Sequence, residues 1–371
     1  MKKTLQAQSL NVQSYTLKDQ SDAEALGLVW RPLFSQSTSS FFLSWRWINP
    51  FITLALEAGY LLHVIQASTP VGEVVGLAIF CERKQRRHKI FKYKQLYLHK
   101  TGDEKLDKSW IEYNDFLIHH RLERSAKQAM WRYVISHFKN IDEFIVGVSE
   151  EQKLLDIEKM NKGLIRWDYA NTAGWILHSE KGEQTNYASK QATSQIKRSN
   201  KLLASQGFIT TISDLETDFL TALTEIAPIH KETWSDESGF HFETFTRYLT
   251  MLCQQSDETT LISAKLKNDT HTVAIIIGFI VRDTFYYYLS ANKTSPTNKV
   301  KYGLSLHHNL ITWCAEKGIN NYDFLAGDYR YKRSFANKRI DFRYAFFQRP
   351  SLKARAEQIL RLLKQKLFST E

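Results

Sequence analysis

The run Tyr322-Asp323-Phe324-Leu325-Ala326-Gly327-Asp328-Tyr329-Arg330-Tyr331-Lys332-Arg333-Ser334-Phe335 changes character halfway along. Tyr322 to Leu325 reads as an apolar strand, and the residues after Gly327 crowd acidic, basic and phenolic side chains into one loop. A buried strand that delivers ionisable groups to its own end commonly builds a site. Asp328 and Lys332 are spaced so that a turn or a helical start sets them side by side. The same spacing suits an ion pair from Asp328 to Lys332 or Arg333 that only anchors the loop.

Working outward, the strand is preceded by a helix opening at Val300-Lys301-Tyr302-Gly303 and reaching about Cys314, and before that by three strand-like runs. These are Thr259 to Leu266, Val273 to Val281 and Thr284 to Ser290, with turns at Asn268-Asp269 and Arg282-Asp283. Two helical patterns, Leu215 to Trp234 and Phe242 to Cys253, stand before them. The first half of the chain has the same order. An apolar helix starts at Ser40, a hairpin joins Tyr60–Ala67 to Val74–Cys81, a helix spans 126–135, and strands follow at 142–148 and 173–177. The repeat is one of architecture, since residue identity between the halves is weak. A polar stretch, Ser179 to Thr185, divides them, and a basic helix over about 188–203 opens the second half.

At 371 residues, 43% hydrophobic and 13% aromatic, the chain has material for two cores. Cys81, Cys253 and Cys314 are too few and too scattered for a disulfide framework or a CxxC metal site, which fits a reducing cytoplasm. No apolar run approaches the roughly 18 residues of a membrane span, and polar residues follow Lys2 and Lys3 where a signal peptide needs an apolar run. A cytoplasmic protein is expected. The formal charge of +11 points to an anionic partner or simply to solubility. No HExxH, GxSxG or phosphate-loop motif appears, which disfavours a metal or nucleotide hydrolase.

The run Tyr322–Phe335, with the Ser189-Lys190 entry and the segment Gln195-Ile196-Lys197-Arg198-Ser199, resembles the tandem acyltransferases built on the GNAT (N-acetyltransferase) fold. Within them it is similar to the CelD-like or BioF2-like group, related to the FemAB peptidyltransferases. The resemblance implies a mixed α/β (α+β) protein of two tandem GNAT-like domains, each a mixed central sheet flanked by helices. The domains expected are residues 1–180 and 181–350, followed by a basic amphipathic helix over 351–371. It also implies acyl-CoA, in the simplest case acetyl-CoA, as co-substrate and no metal. In such domains the pyrophosphate lies over the helix that follows the splayed strand, where unpaired N–H groups and the dipole attract phosphate. Here that places Leu289, Ser290, Lys299, Lys301, Gly303, Leu304 and Ser305 at the donor. Val300 and Ser305 depart from the pattern's Gln or Arg and its Gly or Ala, and Tyr302 stands where many relatives have proline. A plain helix start with solvated lysines is the alternative.

Acyl transfer to an amine requires the nucleophile to lose a proton, the oxyanion to be stabilised and the leaving thiolate to be protonated. Candidates are Asp328, Tyr331, Lys332 and His230, with Glu232 near the last. Trp234 and Asp323 are candidate acceptor contacts. In the first half, Trp110-Ile111-Glu112-Tyr113-Asn114-Asp115 resembles a Glu-Tyr-Asn segment of close relatives, which offers Glu112 and Asp115 to an amino group or sugar hydroxyls. Alternation on a strand would instead leave those two exposed. His230 equally suits a core or surface histidine, and Glu232 a solvated helix position.

Lys84, Arg86, Arg87, His88 and Lys89 form a basic hairpin tip, followed by Lys92 and Lys94, that is either solvated or set against phosphate or RNA. The final basic helix packs its apolar side on the protein or makes peripheral contact with an anionic membrane. Three functions stay open. The first is an N-acyltransferase acting from acyl-CoA on an amine of a sugar, amino acid or envelope or polysaccharide precursor. The second is a FemAB-like transferase using aminoacyl-tRNA, and the third is a catalytically silent binding protein in polysaccharide production. None of these requires DNA.

Overall fold

Two stretches of sequence build the same succession of elements. The computed structural model describes residues 10–87, 90–180 and 190–358. The first stretch runs β1 (Asn11–Leu17), α1 (Gln20–Ser35), α2 (Trp45–Glu57), β2 (Leu62–Ser68), β3 (Val74–Arg87) and β4 (Phe91–Leu98). A short β5 (Leu117–Ile118), α3 (Glu123–His137), β6 (Glu143–Glu150), α4 (Glu151–Met160) and β7 (Ile165–His178) complete it. After α5 (Lys190–Ser205) the second runs β8 (Ile209–Ser213), α6 (Glu216–Trp234), α7 (Glu243–Leu252), β9 (Thr260–Lys267), β10 (Thr272–Val281) and β11 (Thr284–Asn292). It ends with α8 (Tyr302–Glu316), β12 (Asn321–Ala326), α9 (Arg330–Phe335) and β13 (Lys338–Gln348). Apart from β5, the second stretch repeats the first element for element after α5.

Local chemistry explains the boundaries. Asp19 accepts from the Asp22 N–H at 3.1 Å and starts α1, and Ser44 accepts from the Trp47 N–H at 3.2 Å and starts α2. The Ser44 cap is why the apolar run from Ser40 turns first through a short 3-10 segment, Phe41–Leu43, before the helix proper begins. β3 continues past Cys81 to Arg87 because its pairing with β4 extends to Arg87↔Phe91. The segment around Glu112 is loop rather than strand, with pairing confined to β5 against β3.

The chain divides into two compact units. One comprises residues 1–107, 111–171 and 343–371, the other residues 108–110 and 172–342. Within the first, the strand order is β1-β2-β3-β4-β6-β13, with β5 beside β3. Within the second it is β7-β12-β11-β10-β9-β8. The sixth strand of each sheet is thus supplied by the other stretch: β13 lies beside β6, where Gln348 Nε2 donates to Glu143 Oε1 at 2.7 Å, and β7 pairs with β12. β1 to β4 pair antiparallel and β4 with β6 parallel; in the same way β8 to β11 pair antiparallel and β11 with β12 parallel. The first core gathers Phe80, Phe116, Trp131, Phe144 and Phe347; the second gathers Ile276, Phe285, Leu306, Phe324 and Phe335. Among the described residues no helix is long and apolar enough to cross a membrane. Residues 352–358 are helical, and the remainder of the expected C-terminal helix, like His88, Lys89 and residues 181–189, lies outside the described residues.

Candidate active site

The second unit opens where its parallel pair parts. β11 and β12 pair only over Thr284↔Asn321, Phe285↔Tyr322 and Tyr286↔Asp323, although both strands run on. On its other edge β12 pairs with β7 through Asp323↔Ile176 and resumes at Ala326↔Gly174, so Phe324 and Leu325 stand against Trp175 alone. This is a bulge. Leu325 adopts φ +58° and Gly327 φ +120° to make it. The left-handed backbone at Leu325 is uncommon for a branched side chain, and Asp323 stabilises it by accepting the Leu325 N–H at 2.7 Å. Asp323, the expected acceptor contact, is 1% exposed and its carboxylate supports the bulge.

The bulge turns the following residues apart. Lys332 points inward, where its ammonium donates to the carbonyls of Phe324 at 2.6 Å and Ala326 at 2.7 Å, both beyond the last β11–β12 pair. It is 4% exposed, with the rings of Tyr287 and Tyr329 at 5.7 and 5.5 Å. Lys332 therefore satisfies strand backbone and does not pair with Asp328 as its spacing suggested. Asp328 stays half-exposed, meets Arg333 Nε at 3.5 Å and accepts from Trp175 Nε1 at 3.2 Å. α9 begins only at Arg330, which places position 328 beside 333 rather than 332.

Tyr331 donates to the Tyr287 hydroxyl at 3.3 Å, and Tyr287 shares a 2.5 Å bond with Ser290 Oγ. Three hydroxyls thus form a chain that reaches β11 just past the parting. Burial pushes the phenols of Tyr331 and Tyr287 above their ordinary range, and their mutual contact adds to the effect at Tyr331. His307 lies against both, with ring centres 4.7 Å from Tyr287 and 5.4 Å from Tyr331, and bonds the Tyr322 hydroxyl through Nδ1 at 2.8 Å. Burial, reinforced by the Lys332 charge, holds its imidazole down at about 3, so it is neutral. Tyr287 and His307 escaped the sequence reading. The available signal was a histidine inside the apolar face of α8 and a tyrosine alternating inward on β11.

At the far side of the parting, α8 begins with no side chain of its N-cap, Lys301, bonded to the first turn. The Lys301 N–H is taken by Ser199 Oγ of α5 at 2.9 Å, and Ser199 also bonds Ser305 Oγ at 2.8 Å. Ser305, among the residues expected at the donor, is fully buried and holds α5 against α8. Lys299 is exposed and Lys301 partly so, and neither is ion-paired among the described residues. At Gly303 a Cβ would come 3.2 Å from Asn292 Oδ1, so the glycine lets β11's last residue lie close to the helix start. Leu289 is buried in β11 and Leu304 packs against the core. Lys197, Arg198 and Lys201 line the exposed side of α5.

His230, 8% exposed near the end of α6, bonds Ser238 Oγ through Nδ1 at 2.8 Å and contacts Phe240 edge-on. Burial lowers its imidazole to about 4. It is a neutral, satisfied histidine that pins the loop after α6, whose Ser235 has φ +46°. Trp234 is 42% exposed and Glu232 is exposed.

In the first unit the corresponding parting is closed. β4 and β6 pair over Gln95↔Glu143 to Tyr97↔Ile145, and beyond that point the Asn114 amide donates to Leu98 O at 2.8 Å and Val146 O at 2.6 Å. Asn114 Oδ1 meets His99 Nδ1 at 2.9 Å, so one fully buried side chain bridges both strands. Asp115 is ion-paired to Lys127 and accepts the Phe116 N–H, and Glu112 is 6% exposed. Neither is displayed on a strand face. Among the described residues no cluster of His, Cys, Asp and Glu could hold a metal ion.

Residues 190–333 match the family model described as an acetyltransferase (GNAT) domain. No curated protein matches the chain by sequence. Among solved structures, FemX is similar at 11% identity over 90% of this chain and 98% of its own, with a TM-score of 0.57. L-PGS from Bacillus licheniformis is similar at 12% identity over 93% and 97%, with a TM-score of 0.54. A C-terminal domain from Agrobacterium fabrum, described as that of a lysylphosphatidylglycerol synthetase, is similar at 11% over 92% and 96%, also with 0.54. At these identities the likeness is one of fold, and it spans both units.

Proposed function

We propose that this GNAT domain transfers an acyl group from acyl-CoA to an amine of a sugar, an amino acid or an envelope or polysaccharide precursor. The observation that carries the reading is the parting of β11 from β12 after three residue pairs, with α8 starting immediately beyond it. A thioester lying along β11 brings its pyrophosphate to the first turn of α8, where the dipole, Lys299 and Lys301 attract it. The acceptor amine then attacks the thioester carbonyl. Asp328, half-exposed, orients that amine or takes its proton, and the thiolate leaves with a proton delivered through Ser290, Tyr287 and Tyr331. Burial keeps both phenols protonated at neutral pH and disfavours either phenolate, so the chain is a relay and not the net acid: Tyr331 regains, in the same step, the proton that the amine gives up. Lys332 holds the carbonyls of Phe324 and Ala326 and so keeps β12 in place.

A second reading has its own support. Lys197, Arg198 and Lys201 extend the exposed positive charge along α5, further than a pyrophosphate needs, which favours an aminoacyl-tRNA donor. Calorimetry with acetyl-CoA, longer acyl-CoAs and a charged tRNA separates the two. For the first reading, acetyl-CoA binds, and K299E/K301E weakens it on the order of tenfold or more at low salt with unchanged melting. Unchanged affinity in that variant removes the donor from α8. Binding of tRNA alone moves the protein to the second reading, and binding of neither donor supports a silent binding protein.

A further inference from the structure

The register of β3 on β4 sets Lys84 opposite Lys94 and Arg86 opposite Lys92. Residues two apart on a strand share a face, and directly opposed residues share it too, so all four cations stand together. Like charges directly opposed weaken a ladder. Lys84, Arg86 and Lys92 are exposed and Lys94 is half-buried, and none of the four is ion-paired among the described residues. The acids close by do not cancel them. Glu82 lies at the hairpin's root, opposite Leu96, and Asp142 accepts the Lys94 N–H and is already paired with Lys353 at 2.8 Å.

The opposite face behaves differently. Arg87 turns inward to Glu143 and Glu357 with its guanidinium 4.1 Å from the Tyr93 ring centre, so its charge is matched. Concentrating unmatched cations on one face only is not what solubility alone requires. At the tip of this hairpin one aliphatic side chain is displayed to solvent: Ile90, 73% exposed in the turn between β3 and β4. Helical residues 352–358 cover the opposite face, where Glu357 pairs with Arg87 and Lys353 Nζ lies 4.4 Å from the Tyr93 ring centre.

We propose that this face of the β3–β4 hairpin docks on an anionic lipid bilayer, with the four cations over lipid phosphates and Ile90 at the tip entering the interface. A nucleic-acid backbone would satisfy the cations equally but offers nothing to the exposed Ile90. A bilayer surface satisfies both. The docking does not depend on which donor the second unit uses.

The test is co-sedimentation of the full chain with vesicles of phosphatidylcholine, with and without phosphatidylglycerol. Binding is expected only with the anionic lipid and should fall with salt. Each basic side chain near such a surface strengthens binding roughly fivefold, so K84Q/K94Q and R86Q/K92Q should each cost about 25-fold and the quadruple variant several hundredfold. Relief of the opposed charges means that neither pair variant melts below the parent. I90S should weaken vesicle binding severalfold without changing the salt dependence. Parent protein that ignores phosphatidylglycerol vesicles, or pair variants that bind them as tightly as the parent, overturns the proposal. So does binding to RNA that I90S leaves intact while vesicles are not bound.

Discussion

Replacing Lys332 by methionine retains the length of the side chain and removes the ammonium that donates to Phe324 O and Ala326 O at 2.6 and 2.7 Å. Two acceptors inside the second unit then lose their donor. An orphaned buried acceptor costs about 1–3 kcal/mol, so the loss is about 2–6 kcal/mol before any offset. Lys332 is 4% exposed, and no longer burying its charge returns part of that, leaving a net loss of roughly 2–4 kcal/mol. With an m-value of about 3 kcal/mol/M in urea, the unfolding midpoint should drop by about 1 M. Urea titration followed by tryptophan fluorescence measures this, with turnover assayed on protein that remains folded. K332Q, which keeps a shorter donor, should fall between. If K332M unfolds at the parent's midpoint yet loses all turnover, the ammonium acts on the substrate and its assignment to the strand is wrong.

Removing either phenol breaks the hydroxyl chain, so Y331F and Y287F should each lower turnover about 100-fold, and the double variant no further; losses that multiply would show that the two act separately. His307 and His230 have imidazoles lowered to about 3 and about 4 from 6.5, so the folded state binds fewer protons than the unfolded one. Their contribution to stability is complete above pH 6.5 and drains as the pH falls toward 4. Melting temperatures should drop over that window, less steeply in H307Q, and parallel slopes would refute the assignment. N114A withdraws the amide from Leu98 O and Val146 O and should destabilise the first unit by about 2–4 kcal/mol. Hydrogen exchange at the ends of β4 and β6 should accelerate, and unchanged protection would mean that water or a neighbour replaces the bridge.

The strand Tyr322 to Leu325, the helices before it and the repeated order were legible because buried strands and amphipathic helices carry their periodicities in the sequence. β4 was not, since its outward positions Lys92 and Lys94 hide the buried Tyr93, Gln95 and Tyr97 between them. The direction of Lys332 was illegible for another reason. It depends on the Phe324–Leu325 bulge, and a one-residue insertion that reverses side-chain faces leaves no mark in composition. Asp115 and Glu112 were read from a resemblance, and what spacing cannot supply is the Lys127 ammonium, which comes from a helix to meet Asp115. Asn114 stands in the same segment, and an amide carries no charge that marks it in a sequence.

The reciprocal supply of sixth strands bears on how the chain is made. Synthesis from the N-terminus delivers β1 to β6 long before β13, so a nascent first unit has an unpaired edge along β6 until β13 has left the ribosome. Completion of one sheet is therefore tied to completion of the other, through contacts of high sequence separation that fold slowly. A gene cut after His178 would encode a fragment that keeps β7 but lacks the partner for β6, and a second fragment that keeps β13 but lacks the partner for β12. The two would be expected to aggregate when expressed apart and to be rescued by co-expression, so the duplicated architecture is held by exchange as one inseparable folding unit.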